Sequence, residues 1–160
     1  MKTEIASIIK RMEIVNSGEP WFGRSVFAIL EEVDSKKAFI HPVHPGGEVQ
    51  HSLVDLLYHM ITWAEFTLNR LEKNKIKDLA AAEELDWRTI DPKIHSWKKG
   101  LAEFKSIHKN IVAILGKKDD EFLTEIVDYR KYNFRFLLNG MIEHNIYHLG
   151  QIAYVKKMLD

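Results

Sequence analysis

The sequence predicts an all-α fold, a four-helix bundle with one short extra helix or turn, in a single domain spanning residues 1–160. Three observations carry this. Four long stretches repeat their apolar residues at steps of 3 and 4, the helical period. No stretch alternates at period 2, so no strand pattern competes. No internal repeat, low-complexity tract or Pro/Gly/Ser-rich linker divides the chain.

The first helix is expected over roughly residues 2–16, where Ile5, Ile8, Ile9, Met12 and Val15 form one stripe and Gly18 and Pro20 stop it. An aromatic knuckle follows at Trp21, Phe22 and Gly23, then a short second helix from Val26 to Val33. Ser35 to Gln50 reads as a loop, broken by His41-Pro42, His44-Pro45 and Gly46-Gly47. Ser52, with Asp55 three positions later, suits a helix N-terminus. The helix behind it carries Leu53, Leu56, Leu57, Met60, Ala64, Leu68 and Leu71 to about Lys73. Lys73 to Ile90 is polar and rich in Ala and Glu, with a helical turn expected around Leu79 to Leu85. Asp91-Pro92 reads as an N-cap followed by proline at the first helical position. Behind it, Trp97, Leu101, Phe104, His108, Ile111 and Leu115 make a stripe ending at Gly116. Phe122 to Val127 fits a short helix or an extended segment equally well, and Asn133 suits the cap of a last helix reaching about Leu159.

Composition narrows function. Lys plus Arg equals Asp plus Glu, 23 against 23, so no overall field recruits nucleic acid or an anionic membrane. There is no cysteine, which removes disulfides, thiolate zinc sites and a cysteine nucleophile together. The first twenty residues carry charges inside their apolar pattern, unlike a secretory signal. No apolar run approaches the roughly 18 residues of a membrane span. A cytoplasmic protein is expected.

The last helix holds the chemistry. At about 100° per residue, Leu137, Met141, His144, His148, Ile152 and Val155 share one face. Two histidines therefore stand where a bundle wants Leu or Ile. Their i,i+4 spacing lets both imidazoles reach one ion at metal–nitrogen distances of about 2.0–2.1 Å. Burying both rings is costly unless something satisfies them. A third ligand must come from another helix, and two histidines compete: His108 lies on the apolar face of its helix, and His59 lies beside the Leu56–Met60 stripe with Trp63 and Phe66 following. Periodicity favours His59 only slightly.

The segment from Ser52 to Trp63, containing His59, together with His144-x-x-x-His148-x-Gly150-Gln151-Ile152, resembles the DinB/YfiT-like superfamily of metal-binding four-helix bundles. Residues 20–25 resemble the aromatic-Gly-Ser knuckle of one DinB subgroup, with Phe22 where that subgroup often has histidine. The resemblance implies that His59, His144 and His148 ligate one divalent transition metal. Zinc or nickel stand foremost, and iron or copper also suit imidazole nitrogen. It also implies a homodimer. Three neutral ligands leave an open coordination position, which favours chemistry over a closed structural site. The expectation is a metal-dependent hydrolase or thiol-dependent transferase acting on a small molecule; the alternative is a non-catalytic, stress-related metal- or ligand-binding bundle. Trp21, Trp63 and Gln151 are the expected pocket residues. Gly140 and Gly150, inside the last helix, are expected to mark close helix approach.

Overall fold

The computed structural model describes residues 3–73 and 79–160. Among these, the α-helices are α1 (Thr3–Ser17), α2 (Val26–Glu31), α3 (Leu53–Leu71), α4 (Leu79–Glu84), α5 (Trp97–Leu115) and α6 (Phe134–Leu159), with one 3-10 turn at Glu121–Thr124. The described residues form no strand, only isolated bridges pairing Val43 with Val49 and Ile126 with Asn133. The all-α bundle is therefore as predicted. Lys2 and the first part of the polar stretch after Lys73 (residues 74–78) lie outside the described residues. None of the described helices is long and apolar enough to cross a membrane.

The four long helices build the core. α3 packs on both α5 and α6, and α1 packs on the same two. Their facing stripes bury Met12, Leu57, Met60, Ile61, Phe104, Ile111, Leu138 and Ile152 to 1% exposure or less. Of these helices α3 is the most enclosed, with every residue from Leu56 to Thr62 buried. Its N-terminus is set by a complete capping box: Asp55 N–H donates to Ser52 Oγ, and Ser52 N–H donates back to the Asp55 carboxylate at 2.8 Å. Asn133 caps α6 through Phe136 N–H. Asp120, from the loop before the 3-10 turn, accepts from the backbone N–H groups of Thr3, Glu4 and Ile5 and so caps α1 from afar.

Two expectations are corrected here. α5 does not start at Asp91-Pro92; its N-cap is Ser96, whose hydroxyl accepts from Lys99 N–H. Asp91 spends its carboxylate on Lys93 N–H and its carbonyl on His95 N–H, closing a local turn that competes with helix. Nor do Gly140 and Gly150 mark close approach, because a Cβ at either would meet nothing within 4 Å. The close approach is at Gly100, where a Cβ would sit 3.0 Å from the Tyr58 ring and 3.1 Å from Leu57.

Candidate metal centre

About a third of the way along α3, His59 points toward α6, which presents His144 and His148 one turn apart. His59 Nε2 lies 3.0 Å from His144 Nε2 and 2.9 Å from His148 Nε2. The three ring centroids are 4.4–5.0 Å apart. Each residue offers one ligand atom within 4.8 Å of the others, so the group can hold a metal ion. Two metal–nitrogen bonds of about 2.1 Å span at most about 4.2 Å, and the two Nε2 separations from His59 fall inside that reach.

The outer nitrogens show why these rings face inward. His148 Nδ1 lies 2.5 Å from Gln151 Oε1. The amide oxygen only accepts, so the proton sits on Nδ1 and Nε2 carries a lone pair. His59 Nδ1 lies 2.7 Å from Asp86 Oδ1, an approach oblique enough that Nδ1 has no aligned hydrogen bond. The carboxylate still favours a proton on Nδ1 over Nε2 through its charge. With the proton on Nδ1 in both rings, two lone pairs face each other at 2.9 Å. That arrangement is repulsive unless a cation lies between them.

A proton is a poor candidate for that cation. Burial, together with the charges the neighbouring rings would carry, pushes the pKa of His144 down to about 3 and that of His148 to about 4. Burial also lowers the His59 pKa, with Asp86 opposing. At neutral pH all three rings are uncharged donors, the form a divalent transition metal binds. The residues therefore fit the ion.

Asp86 and Trp87 were not anticipated from the sequence. They lie just after α4, in a loop fastened to α3: Arg88 Nη2 donates to Thr62 Oγ1, which donates in turn to Leu85 O. Asp86 Oδ1 also accepts from Trp63 Nε1 at 2.6 Å. The Trp87 indole stacks between two imidazoles, 4.0 Å from His59 and 3.9 Å from His51, centroid to centroid. The one signal available beforehand was general: a ligating histidine needs a partner for its other nitrogen. Replacing Asp86 with Asn is expected to weaken metal affinity about 10–100-fold with little change in fold. Competition against a chelating dye measures this, and an unchanged dissociation constant would remove Asp86 from the site.

A cavity of about 160 Å³ opens beside His144, lined by Trp63, Phe66, Thr67, Leu137, Gly140 and Met141, with Tyr132 and Phe136 completing it. Trp63 lies in this wall. Gln151 does not; it lines a separate groove of about 470 Å³ with Pro42, His51 and Tyr154. Trp21 is corrected: it is fully exposed and outside the cavity, because it sits in a surface turn closed by Gly23 N–H donating to Pro20 O, with Gly23 at φ +130°. His108, the competing third ligand, is a satisfied core histidine. Its Nδ1 donates to Phe104 O at 3.0 Å and its Nε2 accepts from Asn145 Nδ2 at 2.9 Å.

A family profile described as the DinB superfamily matches residues 24–152, from just ahead of α2 to beyond His148 in α6. No curated protein matches the chain. The match covers most of the sequence and contains all three converging histidines together with the loop that carries Asp86. The chain belongs to the DinB superfamily.

Proposed function

We propose that the protein is a metal-dependent enzyme, a hydrolase or thiol-dependent transferase, in which His59, His144 and His148 hold one divalent ion, zinc or nickel foremost. The observation that carries this reading is the convergence of three imidazole nitrogens, with His144 Nε2 and His148 Nε2 at 3.0 and 2.9 Å from His59 Nε2 and an oxygen beside the outer nitrogen of His59 and of His148. A bound ion would supply Lewis acidity, polarising a substrate carbonyl or lowering the pKa of a substrate thiol. The chain's own residues do the positioning. Gln151 orients the His148 ring, the Asp86 carboxylate favours a proton on the outer nitrogen of His59 through its charge, Trp87 covers the His59 face, and the apolar cavity beside His144 offers a dry approach. With no cysteine in the chain, a reacting thiol would come from a small molecule. A cytoplasmic homodimer belongs to the same reading; Tyr147, Tyr154 and Met158, exposed along α6, support a surface for a second copy.

One observation favours the alternative, a non-catalytic metal-binding bundle. Asp86, the carboxylate beside the cluster, has its Oδ1 shared between Trp63 and His59, so that oxygen is engaged in positioning and is not free to act as a general base. Metal analysis of the purified protein, followed by a screen of ester, amide and thiol-transfer substrates against a His59→Ala control, separates the two. Turnover that vanishes in the variant is the expected result. Stoichiometric metal without turnover on any of these classes would leave the bundle as a metal store, and absence of metal would overturn both readings.

A further inference from the structure

The cavity beside His144 is walled by α3 and α6, and no lysine, arginine or carboxylate stands among its lining residues. The Thr67 hydroxyl is spent on Trp63 O at 2.9 Å, and the Trp63 indole N–H on Asp86 at 2.6 Å. What remains is mostly ring and hydrocarbon surface. Trp63 and Phe66 meet edge to face with centroids 5.7 Å apart, and Tyr132 and Phe136 tilt together at 5.0 Å. Such a lining gives a guest ring edge and face contacts and gives an ion no counter-charge. Gly140 forms part of the wall, and a Cβ there would meet nothing within 4 Å. Glycine inside a helix is destabilising relative to alanine. No packing contact among the described residues requires it; what it leaves is room in the cavity. At about 160 Å³ the cavity is close to the roughly 150 Å³ of an apolar cavity that stays dry and takes benzene. Position ties it to the candidate metal centre, because His144 belongs to both. The larger groove walled by Gln151 holds none of the three histidines and meets the cluster at the outer nitrogen of His148.

We propose that this cavity is the subsite for an uncharged, ring-sized apolar group of the substrate, and that Gly140 is the residue that sets its size limit. Its use in a reaction rests on the metal-site reading, but the binding itself does not, because Gly140 is outside the ligand set. The guest is held by apolar area leaving water. The same ring carrying a carboxylate or an ammonium is rejected, since a charge buried here has no partner. The substrate class is therefore a neutral aryl or branched alkyl compound whose reacting group lies on the His144 side.

Toluene, benzoate and benzylammonium share the ring and differ in charge. Their binding is measured by ligand-observed NMR on the wild type with and without zinc, on His59→Ala, on Gly140→Ala and on Gly140→Leu. Toluene is expected to bind at least about a hundredfold tighter than either ion. Gly140→Leu is expected to weaken toluene about tenfold or more, and Gly140→Ala to weaken it less. Gly140→Ala should also melt about 2–4 °C above the wild type, so weaker binding there is not lost fold. Toluene binding is expected to survive in His59→Ala and without zinc. In copper-loaded wild type the bound ring should lie close enough to the ion for its resonances to broaden, an effect absent from copper-loaded Gly140→Leu. Comparable binding of the ions, unimpaired binding in both Gly140 variants, binding that disappears with the metal, no broadening by bound copper, or no toluene binding at all would each overturn the proposal. A wild type that takes up no metal yet binds toluene in a Gly140-dependent way would sink the metal reading alone.

Discussion

Replacing His148 with alanine is expected to leave a folded protein that no longer keeps a metal ion through gel filtration. Sites with four protein ligands bind zinc with about 10–16 kcal/mol, so each ligand is worth roughly 3 kcal/mol, or on the order of a hundredfold in affinity. His148 is worth more than that average, because Gln151 has already fixed its tautomer and its Nε2 lies 2.9 Å from that of His59. The fold should survive, since the substitution deletes a desolvated polar ring rather than a core hydrocarbon, and Leu149 and Ile152 on the same helix remain buried. Two readouts separate loss of metal from loss of fold. Zinc at about 1,000 times the dissociation constant should stabilise the wild type by about 4 kcal/mol and the variant hardly at all. Nickel or copper should quench the Trp87 indole, stacked 4.0 Å from the His59 ring, in the wild type only. His108→Gln serves as the control and should keep its metal. A His148→Ala protein that retains one ion per chain would show that the three rings are not the ligand set.

The parts of this site that could be read beforehand are those written in helical periodicity. His144 and His148 interrupt an apolar stripe, and an interruption at i,i+4 is visible in one dimension. His59 could not be separated from His108 by the same criterion, since both lie on apolar faces; what separates them is Asn145, which reaches His108 from another helix and satisfies it. Such a partner thirty-seven positions away leaves no local trace. Asp86 and Trp87 were hidden for the opposite reason. They sit in a short polar loop without periodicity, and their role arises only because Arg88 and Leu85 fasten that loop to Thr62 of α3. The start of α5 was misplaced because Asp91-Pro92 and Ser96 are both valid caps, and a backbone turn at Asp91 decided between them. Gly140 and Gly150 were read as contacts because their cost in a helix is legible in the sequence. Its cause is not: at Gly140 the glycine borders a cavity rather than a neighbouring helix.

The core histidine supports a second expectation of large effect. Burial pushes the His108 pKa down to about 4, while an unfolded histidine titrates near about 6.5. Between these values the unfolded chain binds a proton that the folded chain refuses, so stability rises with pH across the window and is lost as pH falls from about 6.5 to about 4. The shift corresponds to about 3 kcal/mol, a large part of the roughly 5–15 kcal/mol that holds a domain folded. The groups around the ring explain why protonation is resisted. Its Nε2 accepts from Asn145, and a second proton there would set two donors against each other. Phe27 and Phe104 pack edge-on against it, and Lys105 and Lys109 line the nearby groove. Glu13, in the same groove, gives the ring no ion pair among the described residues. The acidic partners that cap and pair α1, Glu4 and Asp120, have pKa values held below their ordinary 4.5 and 3.8, so their contribution is lost only at the acid end of the range. Urea unfolding of the metal-free wild type at pH 7 and at pH 5 should show a marked fall in midpoint. His108→Gln, which keeps a polar group but cannot titrate, should show a clearly smaller one. The ligand histidines titrate alike in both proteins, so the difference between the two slopes belongs to His108. Matching slopes would mean that this ring is either charged in the folded protein or exposed to water.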